Sequence, residues 1–367
     1  MSYYFELGAD VSSVHEWTYL EGAREFLQGF LDNPKGGSWS YENETLILTN
    51  RETQLPRKAL LQGYSTKRED KESRGKFGDG LASGICALLN EGHEILIENG
   101  DVTWVPVIKY SETFEHDVVM IKEYMTEYPN EDYIVYIKGI TETQMQKITN
   151  NTLALQGGLF DVHSTSQGEI LLHESHKGRI YVGGLFVDYF KSDYGFNFKP
   201  HCFDLDRDRK SLKPFDIQYK AKDMWGEISN SADEDVSEEI VSALVKGENS
   251  MEYAKYTLNP SNKNIQNSAE KVYNEKYSGK LVTSDYDECE QLRMAGNEVV
   301  HVKSEGLVKI IRETEAYQTV KLGQKKVKTI TEVLEDWKQE WYDSFETEML
   351  YSYEDMQTLI QNSHKIK

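Results

Sequence analysis

The chain has 367 residues, 38% of them hydrophobic and 11% aromatic, so it is too long for one ordinary core and too apolar to stay disordered; about two or three domains are expected. With 41 Lys and Arg against 62 Asp and Glu the formal net charge is −21, which repels phosphate backbones and anionic lipid over most of the surface and disfavours a general nucleic-acid or membrane-surface role. Cys86, Cys202 and Cys289 form no CxxC pair, no leader-like basic and apolar opening is seen, and no apolar run approaches the ~20 residues that span a bilayer, so a reducing, cytoplasmic setting is expected.

From Trp17 to Asp32, the residues Leu20, Ala23, Phe26, Leu27, Phe30 and Leu31 recur at three- and four-residue steps, the period of a helix with one buried stripe. Pro34 and Gly36-Gly37 end it. Thr45 to Thr49 reads as a strand and Pro56 to Gln62 as a short helix, followed by a polar, charged, glycine-bearing loop from Gly63 to Gly80. Small apolar residues from Leu81 to Leu89 predict a helix packed on a sheet. His93 to Glu98 and Val102 to Ile108 read as strands joined at Asn99-Gly100, a two-residue hairpin signal. Tyr133 to Lys138 alternates like a strand and Thr141 to Ile148 like a helix.

Gln156-Gly157-Gly158 interrupts this pattern, which closes a first domain over 1–155. Strands at Glu169 to His173 and Arg179 to Val182 open a second, 156–245, whose acidic run from Asp233 to Glu239 reads as a solvated helix start. Strand, helix, strand, helix at Lys280 to Thr283, Asp287 to Ala295, Glu298 to Val302 and Gly306 to Arg312 predict a small α/β unit over 246–325. In the C-terminal stretch, 326–367, Ile330, Val333, Leu334, Trp337, Trp341 and Phe345 fall at helical steps. That helix either packs on the rest of the chain or binds a partner.

The chemistry concentrates in the first 110 or so residues. Gly63-Tyr64-Ser65-Thr66-Lys67-Arg68 and Gly75-Lys76-Phe77-Gly78-Asp79-Gly80 lead straight into the apolar helix. Glycines spaced this way let backbone N–H groups turn towards one point, and the helix N-terminus adds positive potential there, so the segment can cradle phosphates. Lys67, Arg68 and Lys76 add mobile positive charge. Taken alone the glycines also fit a tight turn and close helix packing.

The order of the whole set resembles the GHKL superfamily of gyrase, heat-shock chaperone, histidine kinase and MutL ATPases. Arg24-Glu25-Phe26-Leu27 through Leu31-Asp32 is similar to that family's first catalytic helix, and Asn50 to Gln54 falls at its adenine box. Ser65-Thr66-Lys67 resembles a segment of MutL, and Gly75 to Leu81 lies at the second glycine box. Arg179 to Val187, with Gly183-Gly184, is similar to the strand, turn and strand of the transducer domain. Segments such as Lys76 to Leu81 and Leu205 to Arg209 suggest the prokaryotic and phage group of such ATPases, to which the phage rapid-lysis A protein also looks related.

The resemblance implies an α+β chain: a GHKL (Bergerat) ATP-binding α/β sandwich, a transducer-like β-α-β domain, then a C-terminal α/β and helical region. It implies Glu25 as the carboxylate that activates water, with Lys67 reaching a terminal phosphate. Asn50 accepts from adenine, and Ser65, Thr66, Gly75, Lys76, Phe77, Gly78, Asp79 and Gly80 line the triphosphate. The implied ligands are ATP and Mg²⁺, and homo-oligomerisation or a protein partner is expected, in phage infection or host defence. Three departures bear on this, one being that the threonine with which the family supports adenine from a later strand is not evident, with Asp132 and Tyr133 near that place. Gly29 stands where the family has a metal-holding Asn, so water, phosphate or Gln28 must supply that oxygen. Arg51, Glu52 and Thr53 stand where the adenine box has glycines, so crowding of the base is expected. A slowly hydrolysing ATP-driven switch and a non-hydrolysing sensor or scaffold are thus both open.

Overall fold

Alternating burial builds the N-terminal sheet. In Thr45–Asn50, Leu46, Leu48 and Asn50 point inward, and in Tyr133–Lys138 so do Tyr133, Val135 and Ile137, as a period of two requires of strands with one covered face. The computed structural model describes residues 3–61, 64, 70, 73–74, 78–158, 161–205, 212–324, 330–341, 351–356 and 358, with an α+β fold. The chain divides into two units, Met1–Lys220 and Ala221–Lys367.

The first unit runs β1 (Tyr3–Asp10), α1 (Tyr19–Leu31), β2 (Gly37–Glu42), β3 (Thr45–Asn50), α2 (Gly80–Asn90), β4 (Glu94–Asn99), β5 (Val102–Ser111), β6 (His116–Met125), β7 (Tyr133–Lys138) and α3 (Glu142–Asn150). The strands form one seven-stranded sheet in the order β1-β6-β5-β4-β7-β3-β2, antiparallel at every pairing. Leu46, Leu48, Ile95, Ile97, Val135 and Ile137 share one core with Phe26 and Leu27 of α1, Ile85 and Leu88 of α2, and Ile148 of α3. Each such side chain contributes about 1.5–3 kcal/mol on burial. Both α1 and α3 start with a capping box, Thr18 with Glu21 and Thr141 with Gln144. The expected short helix after Pro56 is a 3-10 turn, Arg57–Leu60.

Five short strands follow in the same unit: β8 (Val162–Thr165), β9 (Gly168–Leu171), β10 (Arg179–Val182), β11 (Leu185–Tyr189) and β12 (Gly195–Phe198), ordered β11-β10-β12-β9-β8. The β-α-β order expected of 156–245 is corrected here. Among the described residues no α-helix separates these strands, and two helices, α4 (Pro214–Ser231) and α5 (Glu234–Lys246), come after them. Turns at Gly168, Gly178 and Gly183-Gly184, all at positive φ, interrupt the chain too often for a helical period to develop. The expected strand, turn and strand around Gly183-Gly184 is the β10–β11 hairpin, with Val182 opposite Leu185.

Beyond α5, the second unit holds α6 (Lys263–Lys276) and then β13 (Leu281–Thr283), α7 (Tyr286–Met294), β14 (Val299–His301) and α8 (Glu305–Ile311), with β13 and β14 parallel. This is the strand, helix, strand, helix unit that the sequence predicts. After α9 (Glu315–Leu322) comes α10 (Ile330–Trp341), on which Val333 and Trp337 are exposed. Phe345 lies outside the described residues. All three cysteines are buried free thiols, and among the described residues no helix is long and apolar enough to cross a membrane.

Candidate functional site

Small residues let α1 and α2 approach until their backbones touch. A Cβ at Gly22 would stand 2.8 Å from Leu88 Cγ and 3.1 Å from Gly84 O, and one at Gly84 would stand 3.0 Å from Glu25 Cβ. This close packing delivers Glu25 to the first turn of α2. A Cβ at Gly80 would lie 2.2 Å from Glu25 Oε2, so only glycine admits the carboxylate there. Gly78 adopts φ 80°, a left-handed conformation that glycine takes without strain, and it turns the chain into the helix. Asp79 sits at the N-cap but makes no side-chain cap. The helix start therefore presents N–H groups and positive potential towards a buried carboxylate.

Glu25 is held firmly. Its Oε1 accepts from Gln28 Nε2 at 2.8 Å and from Arg24 Nε and Nη2 at 3.3 Å each. Its side chain is only 8% exposed. Arg24 in turn lies over the Trp17 ring, 5.6 Å from its centroid. One turn on, at the position where the resemblance expects a metal-binding Asn, a Cβ at Gly29 would meet nothing within 4 Å among the described residues. Among the described residues no group of three or more His, Cys, Asp or Glu converges as a metal cage. What α1 offers a cation here is Glu25 and Gln28, an incomplete fit to the roughly six oxygens Mg²⁺ requires.

The other end of α1 meets the expected adenine box. Asn33 donates from Nδ2 to Gly36 O at 2.7 Å and Arg51 O at 3.2 Å, and its Oδ1 accepts from Thr53 Oγ1 at 3.3 Å. Asn50 is buried at the end of β3, where it gives Nδ2 to Tyr133 O at 3.3 Å. Its register partner across β7 is Tyr133, and beyond that lies Asn99 of β4, so three polar side chains share one row on the core face. Asn99 grips the backbone of Leu55 with both side-chain atoms, at 2.8 Å each. Among the described residues the buried Tyr133 hydroxyl has no hydrogen-bond partner, and burial pushes its pKa up. With α1 rising ~1.5 Å per residue, Glu25 and the C-cap Asp32 lie about 10 Å apart along the axis.

Of the three residues in place of the expected glycines, Glu52 turns its side chain outward. Glu52 takes φ 48°, the left-handed conformation a glycine would supply, at a cost of roughly 1–2 kcal/mol. Its N–H is fixed by Asp132 Oδ1 at 2.9 Å, and its exposed carboxylate turns out to Lys35 at 3.2 Å.

Asp32, a residue of the same helix motif, is occupied within the protein. Its carboxylate accepts from Ser73 Oγ at 2.7 Å, from Arg74 N at 3.0 Å and from Arg74 Nη1 at 2.9 Å. Sequence reasoning missed Arg74 and the role of Asn99, whereas it put Asp132 and Tyr133 near the place of the adenine-supporting residue, and Tyr133 is the register partner of Asn50. Asn99 carried a signal, but as a hairpin residue, which hid its grip on Leu55. Gly63, Ser65, Thr66, Lys67, Arg68, Gly75, Lys76, Phe77 and Asp206 to Arg209 lie outside the described residues. The structure thus brings together Glu25 with Gly80, and Asn50 with Tyr133. No protein-family model matches the chain, and no curated protein matches it either.

Proposed function

We propose that the chain is a GHKL-type ATP-binding protein that hydrolyses ATP slowly and changes domain orientation or dimerises with nucleotide, in phage infection or host defence. The triphosphate takes the start of α2, main-chain donors from Gly78 to Gly80 meet its oxygens, and adenine rests towards Asn50. The observation that carries this reading is the Glu25 carboxylate packed against Gly80 at a helix start that lacks a side-chain cap. A carboxylate one hydrogen bond from an attacking water, ionised and oriented by Gln28, is a competent general base. Removing such a group costs about 10²–10⁴ in rate, so Glu25→Ala should lower single-turnover hydrolysis by that factor while ATP still binds. Equal rates would remove Glu25 from the chemistry.

A second reading, a nucleotide sensor that does not hydrolyse, is favoured by the open space at Gly29 and by the engagement of Glu25 Oε1 with Arg24 and Gln28. Calorimetric titration with ATP, with and without Mg²⁺, followed by a turnover assay separates the two. Tight binding without turnover supports the sensor.

A further inference from the structure

Asp32 and Arg74 do more than pair. The Asp32 side chain is 3% exposed, and the Arg74 guanidinium that neutralises it continues outward, with Nη1 donating to Leu31 O at 3.2 Å and Nε donating to Gly183 O. One cation therefore ties the C-terminal end of α1 to the β10–β11 turn of the second sheet. The turn is shaped to receive it. Gly183 and Gly184 have φ of 60° and 82°, and a Cβ at Gly183 would stand 2.9 Å from Arg74 Nε and 3.1 Å from Pro200 Cγ. Every other polar atom of the turn is engaged by the sheet or by the segment after α3. Gly183 N donates to Phe198 O at 2.7 Å, Gly184 N to Asn197 Oδ1 at 2.8 Å, and Leu153 N to Gly184 O at 2.9 Å. Asn197 is itself anchored by Glu169 at 2.7 Å. A displacement of Arg74 is therefore felt in β9, in β12 and behind α3.

Asp32 lies two turns after Glu25 on α1, and Arg74 stands four positions before Gly78 in the sequence, so the contact sits on the helix that carries Glu25. We propose that Asp32 and Arg74 form a clasp through which the state of the site at the start of α2 reaches the Gly183–Gly184 turn; this rests on the ATP reading above. Asp32 and Arg74 are positioning residues, since neither needs to touch nucleotide. A largely buried ion pair suits the role because removing either charge leaves the other with only neutral hydrogen-bond partners named here, Ser73 and the Arg74 N–H for Asp32, Leu31 O and Gly183 O for Arg74, a loss that a buried charge registers strongly.

The test is hydrogen exchange of the peptide covering 181–187 in the full chain, for wild type, Asp32→Asn, Arg74→Gln and the double variant. Without nucleotide, each single change should speed exchange there by roughly tenfold, and the double change no further. Additive effects, or no effect, would overturn the clasp. Gly183→Ala, which leaves both clasp residues in place and displaces Arg74 from the far side, should reproduce Arg74→Gln, while peptides from β13 and α8 report whether the chain is still folded. With a saturating non-hydrolysable ATP analogue, wild type should change exchange at this peptide by roughly threefold or more. Arg74→Gln should bind the analogue within about threefold of wild type yet show no change. A retained response in Arg74→Gln overturns the relay. Failure of wild type to bind the analogue overturns the ATP reading and the relay together, and the nucleotide-free comparison then decides the clasp by itself.

Discussion

The helices of the second unit and α2 of the first begin in opposite ways. In the second unit Asp233, Asn262, Asp285, Ser304 and Thr314 each fold back to accept an N–H in the first turn of the helix they precede, α5 to α9. At α2 the N-cap Asp79 makes no such bond, Gly80 admits a buried carboxylate, and the turn before it is a left-handed glycine. Helices that serve stability close their own ends, because a side-chain cap contributes about 1 kcal/mol. A helix start left without one, beside an oriented acid, forgoes that stability.

The largest effect expected from sharpening this contrast is at Gly29. Because a Cβ there meets open space, Gly29→Asn should fold normally and supply the missing side-chain oxygen, raising Mg²⁺-dependent ATP turnover by roughly tenfold. No gain would favour the sensor reading. Next comes Tyr133, whose buried hydroxyl has no partner among the described residues. An unsatisfied buried group costs about 1–3 kcal/mol, so Tyr133→Phe should raise the urea midpoint without ligand, and a lower midpoint would show that the hydroxyl is already satisfied. The caps follow. Ser304→Ala should cost about 1 kcal/mol, whereas Asp79→Ala should stay within about 0.5 kcal/mol in the absence of nucleotide. Equal costs would erase the distinction between the two kinds of helix start.

The smallest effect is in pH dependence. Burial raises the pKa of Glu21, but the hydroxyl and N–H of Thr18 outweigh it, and the carboxyl ends below its ordinary value of 4.5. A lowered folded-state pKa means that the α1 capping box stabilises fully above the unfolded value and fades as pH falls through the folded one. Glu21→Gln should therefore flatten the stability profile just below pH 4.5. An unchanged slope would show that this cap does not titrate with folding.

Much of the first unit is legible because its signals are local. The stripe from Leu20 to Leu31 is one helix face, and Asn99-Gly100 is a turn that any strand pair would accept. What escapes is set by partners far away. In β1, Phe5, Leu7 and Ala9 alternate, yet Tyr3 and Tyr4 ahead of them are exposed at a sheet edge, and the segment resembles an unstructured start. β6 breaks alternation with Val118 and Val119 both buried, and carries a buried Glu123 whose charge is met by Arg57 and Trp104 from elsewhere. β2 is an edge strand with Trp39 exposed. At the site, Glu25, Asn50 and the glycines stand out by residue type and order. The clasp does not, since Arg74 meets partners 42 and 109 positions away, and nothing in the neighbourhood of an arginine announces such contacts.

The proposed function requires that the start of α2, opened by Gly80 to the Glu25 carboxylate, receive ATP phosphates. Calorimetric titration of ATP into wild type and Gly80→Ala, with the fold of each checked by circular dichroism, tests it most directly. Wild type should bind in the micromolar range, and the added methyl, standing where the Glu25 carboxylate lies, should weaken binding by at least roughly tenfold. Absence of binding to wild type at millimolar ATP, or equal affinity in the two proteins, would contradict the account.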